Sequence, residues 1–112
     1  MGLFDFLKSN SNMQEIDVQT LKAKRDADED FVLIDVREPQ EYQEYNIGGE
    51  LIPLGSLNSR IATMTDLKDK EIVVHCRSGK RSAMAQEMLQ KAGFSNVHNL
   101  RGGVLAWHEQ YG

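Results

Sequence analysis

Residues 71–75 read Glu-Ile-Val-Val-His, and the β-branched apolar core of that run reads as a buried strand. The strand ends at Cys76, the only cysteine among 112 residues. Arg77, Ser78, Gly79, Lys80 and Arg81 follow, and a helical pattern then begins at Ser82, a residue type that caps helices. Met84, Ala85, Met88, Leu89 and Ala92 recur at helical spacing and form the expected buried face, until Gly93 stops the helix. A strand that turns directly into a helix is one half of a parallel crossover, and the rest of the chain repeats the pattern. Apolar strand-like runs at 15–18, 31–35, 51–54 and 96–100 alternate with helical stretches. The helices are expected through Leu21 and Lys24, from Glu38-Pro39 through Tyr42 and Tyr45, from Ser56 through Leu57, Ile61 and Met64, and after Gly102-Gly103. That closing helix carries Val104, Trp107 and Tyr111 on one core-facing stripe. The expected fold class is α/β, with a mainly parallel sheet.

In such sheets the binding crevice lies outside the carboxyl ends of the strands. Asp35 and Cys76 each end a strand, so the Asp35-Arg37 segment and the Cys76 turn are expected at one edge. The turn itself suits an anion: a short Gly-containing loop points successive N–H groups at one place, and the following helix adds its positive end. Arg77, Lys80 and Arg81 strengthen that field. The same field favours a thiolate, so Cys76 is expected to be ionised and nucleophilic near neutral pH. Along the strand, Ile72, Val74 and Cys76 share one face and Val73 and His75 the other. His75 is therefore read as a partly buried strand-end histidine and not as the base for Cys76.

At this length there is enough chain for one domain and too little for two. With 40% hydrophobic and 27% charged residues the composition is that of a soluble domain, and the net charge of -4 argues against a nucleic-acid partner. One cysteine excludes an internal disulfide and a dithiol mechanism. His75, His98 and His108 are not spaced with it as metal ligands, and neither metal nor other cofactor is expected. Residues 1–12 are read as an N-terminal extension and 13–112 as the domain. Leu3, Phe4, Phe6 and Leu7 lack the flanks of a signal peptide, and docking on this or a neighbouring subunit is favoured over contact with a membrane surface. No stable membrane insertion is expected, and the cytoplasm is the default location.

The loop from Cys76 to Arg81 resembles the active-site loop of the rhodanese (thiosulfate sulfurtransferase) family. The stretches Leu33-Ile34-Asp35-Val36-Arg37-Glu38-Pro39 and Leu100-Arg101-Gly102-Gly103-Val104-Leu105-Ala106-Trp107 resemble two further signatures of that family, in the expected order. The segment from Gly48 to Gly55 departs from the family pattern, having no histidine. The resemblance implies five strands with helices on both faces. It also implies a sulfurtransferase that moves a sulfane sulfur from thiosulfate or a related small anionic donor, through a Cys76 persulfide, to a thiol or a protein acceptor. On this reading Arg77 and Arg81 draw in the donor with help from Lys80, the alternatives being that Arg81 only braces the loop and Lys80 is simply solvated, and Ser78 and Gly79 complete the cradle. Asp35 and Arg37 form a supporting ion pair that could fix the loop from beneath, and Ser82 supports the helix start. A persulfide carrier for a partner protein is the alternative, and an inactive binding module is disfavoured by the intact loop. A Cys-dependent phosphatase or arsenate reductase ranks below these. Four residues separate Cys76 from Arg81, and the sixth position after the cysteine is Ser82, which cannot clamp a phosphoryl group as arginine does.

Overall fold

The computed structural model describes residues 14–112; the extension expected over 1–12 lies outside them. Five strands alternate with five α-helices: β1 Glu15–Ile16, α1 Val18–Asp26, β2 Val32–Asp35, α2 Pro39–Glu44, β3 Glu50–Leu51, α3 Leu57–Ile61, β4 Ile72–His75, α4 Lys80–Lys91, β5 Val97–Leu100 and α5 Gly103–Tyr111. All strand pairs are parallel, in the order β1-β5-β4-β2-β3. The central strand is β4, and all four of its residues are buried. Its alternation divides the core in two. Ile72, Val74 and Cys76 join Ile34, Val36 and Phe94 beneath Leu57 of α3 and Ala85 and Leu89 of α4. On the opposite face Val73 joins Leu100 beneath Val18 and Leu21 of α1 and Val104 of α5. The doubly covered parallel sheet expected from the sequence is therefore present.

The departures from expectation have local causes. Val18 is helical because Asp17 caps α1, its carboxylate accepting the Thr20 N–H at 2.8 Å. α4 starts at Lys80, two residues before the expected cap at Ser82, because Gly79 takes a left-handed φ of 116° and serves as the cap itself. Of the expected inward face, Ala85 and Leu89 are buried and Met88 and Ala92 pack against the core, whereas Met84 is 56% exposed and Ser82 and Gln86 are buried in addition. Gln86 is tolerated there because its Nε2 donates to Val97 O at 2.9 Å and Gln14 O at 2.7 Å. α3 ends at Ile61, and Met64 reaches the core from the turn beyond it. β3 is shorter than expected, although Ile52 N and Leu54 N still donate to Asp35 O and Val36 O at 2.8 and 3.1 Å. Tyr111 is exposed and leans on the half-buried Trp107, with ring centroids 4.8 Å apart.

Leu89 is fully buried between α4 and the sheet. Leu89→Ala should lower stability by about 2–5 kcal/mol in urea unfolding, and a loss below about 1 kcal/mol would show that this face is loosely packed.

Candidate active site around Cys76

The chain leaves the sheet at Cys76, and the next residues fold back over its sulfur. Sγ accepts the Gly79 N–H at 3.1 Å and the Ser82 N–H at 3.4 Å, and Ser82 Oγ lies 3.4 Å away. Gly79 can turn its N–H inward because of its positive φ, a conformation strained for any residue with a Cβ. The carbonyls of the loop are held the other way. Val104 N donates to Cys76 O at 2.9 Å and Leu105 N to Arg77 O at 3.1 Å. These are N–H groups in the first turn of α5, which have no acceptor within their own helix. Since a trans peptide points its C=O and N–H in opposite directions, anchoring Arg77 O turns the Ser78 N–H towards the sulfur side, where it acts on Cys76. The approach is close enough that a Cβ on Gly103 would collide with Cys76 O and Arg77 O.

Cys76 is 1% exposed. Burial pushes its thiol up, but the Ser82 hydroxyl and the N–H groups of Ser82, Gly79 and Ser78 outweigh that and hold the thiol below its ordinary value. The three cations of the loop do not act alike. Arg81 forms a two-pronged pair with Glu41 of α2, at 2.7 and 2.9 Å, which holds the Glu41 carboxyl down to about 2. Glu41 is placed for this by the start of α2, where Glu38 N donates to Glu41 Oε1 at 3.0 Å. Arg77 and Lys80 are exposed and make no ion pair among the described residues. Of the two roles open to Arg81, drawing in a donor and bracing the loop, the pair with Glu41 is the second.

Asp35 and Arg37 form a buried pair. Arg37 Nε and Nη2 donate to the two carboxylate oxygens at 3.0 and 2.8 Å, and Arg37 N donates at 3.0 Å. Nη2 also donates to Tyr45 O at 2.7 Å and Nη1 to Glu41 O at 3.4 Å. The ion pair expected of them is present, and neither side chain hydrogen-bonds the Cys76 loop among the described residues. They fasten α2 to the end of β2, and α2 in turn presents Glu41 to Arg81. His75 is fully buried and not partly so, with Nε2 3.8 Å from Asp35 Oδ2 and no hydrogen-bond partner for either ring nitrogen among the described residues. Burial pushes its imidazole down to about 4. Beside the loop lies a cleft of about 380 Å³ lined by Arg37, Tyr45, Arg77, Leu105 and His108.

Sequence reasoning missed Glu41 and Asn99. Asn99, 4% exposed near the end of β5, donates from Nδ2 to Gly79 O at 3.1 Å, and its Oδ1 lies 2.6 Å from Ser82 Oγ. An asparagine next to Leu100, near the carboxyl end of an expected strand, was the available signal. Ser82, expected at the helix cap, instead sits within the first turn of α4 and faces the sulfur.

Gly103→Ala should push the loop peptides off their anchors. It is expected to lower stability by about 1–3 kcal/mol, on the scale of other enforced backbone clashes, and to raise the Cys76 titration midpoint. An unchanged midpoint would detach α5 from control of the sulfur. For His75, the unfolded chain takes up a proton near pH 6.5 whereas the native one resists until about 4, so stability should fall as the pH drops through that interval. His75→Phe should flatten this slope, leaving the part due to His98, whose imidazole burial also holds down. Urea midpoints at pH 7 and pH 5 compare the two proteins, and equal slopes would exclude His75 as the source.

The profile of the Rhodanese-like domain family matches residues 17–110. A sulfurtransferase of Allochromatium vinosum is 36% identical over 96 residues, covering 85% of this chain and 88% of the relative. YrkF of Bacillus subtilis, named as a sulfur carrier protein, is 38% identical over 98 residues, covering 87% of this chain; the match spans only about half, 52%, of that relative. Among solved structures, the rhodanese-like domain of the Anabaena protein Alr3790 superposes with a TM-score of 0.78 at 28% identity, covering 88% of this chain and 75% of that one.

Proposed function

The chain belongs to the rhodanese-like family, and on that premise we propose that it transfers sulfane sulfur through a persulfide on Cys76. The observation that carries the reading is the convergence of loop N–H groups and the Ser82 hydroxyl on a sulfur with a depressed thiol pKa. The Cys76 thiolate attacks the outer sulfur of thiosulfate, the sulfur–sulfur bond of the donor breaks, and sulfite leaves with the bonding pair. Cys76 then carries a persulfide anion, stabilised by the inward N–H groups as an oxyanion hole stabilises developing charge. An acceptor thiolate takes the outer sulfur and regenerates the Cys76 thiolate. No general base enters either step, which agrees with His75 having no contact to Sγ. With a single cysteine, the sulfur passes to an acceptor outside the described fold.

Arg77 and Lys80 are the exposed cations at the rim and are assigned to drawing in the dianionic donor. Arg81, paired with Glu41 on the helix that Asp35 and Arg37 fasten, keeps the loop in place. A carrier role, in which a partner protein is the acceptor, gains support from the likeness to the sulfur carrier YrkF. In that role turnover with free small thiols is slow and the persulfide is long-lived.

Incubation with thiosulfate should add one sulfur atom to the intact mass of the wild type and none to Cys76→Ser, and cyanide should remove it. Absence of the adduct in the wild type, with thiosulfate in excess, overturns the thiosulfate reading. Arg77→Ala should reduce kcat/KM for thiosulfate by about tenfold, the scale of one charge-assisted contact, mainly through KM.

A further inference from the structure

The Ser82 hydroxyl has one proton and two neighbours that can accept it: Cys76 Sγ at 3.4 Å and Asn99 Oδ1 at 2.6 Å. The orientation of the Asn99 amide is not free. Its other end lies 3.1 Å from Gly79 O, and a carbonyl oxygen only accepts, so the NH2 group faces Gly79 and the oxygen faces Ser82. We propose that Asn99 is a positioning residue for sulfur transfer: it competes with the Cys76 sulfur for the Ser82 hydroxyl proton, and the proton changes partner as negative charge moves on and off Sγ.

This role rests on the persulfide chemistry proposed above and follows the charge through that cycle. When Cys76 is protonated, Ser82 donates to Asn99 and its oxygen is free to accept from the thiol. In the thiolate, the hydroxyl turns to the sulfur, where the bond is charge-assisted, and Asn99 Oδ1 is left as a buried acceptor with no donor. Once the charge has passed to the outer sulfur of the persulfide, Sγ is a weak acceptor and the proton returns to Asn99. The hydroxyl only rotates, so no proton is gained or lost. Asn99 thereby opposes charge on Sγ and favours its departure to the outer sulfur. The Ser82 hydroxyl is among the groups that hold the Cys76 thiol down, and it is the one that a second buried side chain contacts.

The ionisable groups around the sulfur are Arg77, Lys80 and Arg81 on its loop, Glu41 of α2 paired with Arg81, and His75 with the Asp35–Arg37 pair in the sheet. None hydrogen-bonds the side chain of Ser82 or Asn99 among the described residues, so variants at those two positions leave them in place. Gly79 O also keeps its helical bond from Ala83 N at 3.1 Å when the Asn99 amide is removed.

The test is the thiolate absorbance of the single cysteine followed against pH, which needs no sulfur donor and so fails or succeeds separately from the thiosulfate reading. Asn99→Leu should lower the midpoint by about one unit, since ionisation no longer orphans a buried acceptor. Ser82→Ala should raise it, Ser82→Thr should restore it, and Asn99→Leu should have no effect in the Ser82→Ala background. A residue that merely braced Gly79 would do the opposite: its loss would raise the midpoint, equally with or without the hydroxyl, and that result overturns the proposal. The unmodified protein supplies a reading independent of variant folding. The ¹³C resonance of the Asn99 side-chain carbonyl should move with the Cys76 midpoint, and a resonance that stays flat through the titration overturns the proposal as well.

Discussion

Two hydrogen bonds from the first turn of α5, to Cys76 O and Arg77 O, decide which way the Cys76 loop faces. A loop of this size could present either edge of its peptides to the sulfur. If the carbonyls pointed inward they would repel a thiolate, and the positive end of α4 would be working against its own approach. Giving those carbonyls a fixed partner outside the loop commits the N–H edges to the inside. The anchor requires backbone to approach backbone, and Gly103 is the residue that allows it. The last helix of the chain, remote in sequence from the cysteine, thus belongs to the site as much as the loop does.

Much of the layout is legible in the sequence because its signals are local. β-branched runs, turn glycines and the alternation of Val73 with Val74 are short-range patterns, and they lead to the sheet and to the cysteine at its edge. What they do not contain is the pairing of distant polar groups. Arg81 and Glu41 are 40 positions apart, and Ser82 and Asn99 are 17 apart. A run of three cations after a cysteine reads as one charged rim until a carboxylate from another helix is seen to claim one of them. On α4 the inward face is as expected at Ala85, Met88, Leu89 and Ala92, and the exceptions at Met84 and Gln86 have a related reason. Hydropathy favours Met84 over Gln86, whereas the buried position goes to the residue that can satisfy Val97 O and Gln14 O.

The two acidic partners in the site solve different problems. Asp35 lies at 0% exposure, where an isolated carboxylate would be untenable, and it is sustained by three donors from Arg37. Arg37 in turn spends its remaining donors on backbone carbonyls of α2, so this pair acts as a joint between a strand end and a helix. Glu41 and Arg81 are about one-third exposed, a setting in which a single pair contributes little to stability. Their value is geometric: a planar fork against a planar carboxylate fixes one end of the loop in direction as well as distance.

The shortness of the outer strands has its own consequence. β1 and β3, which lie at the two edges of the sheet, are each two residues long, while the three inner strands have four. An exposed strand edge offers unpaired N–H and C=O groups that can recruit the strand of another molecule. Rims of two residues provide too little ladder for such addition. A sheet whose interior strands are rich in valine and isoleucine is in this way kept from acting as a template for its own aggregation.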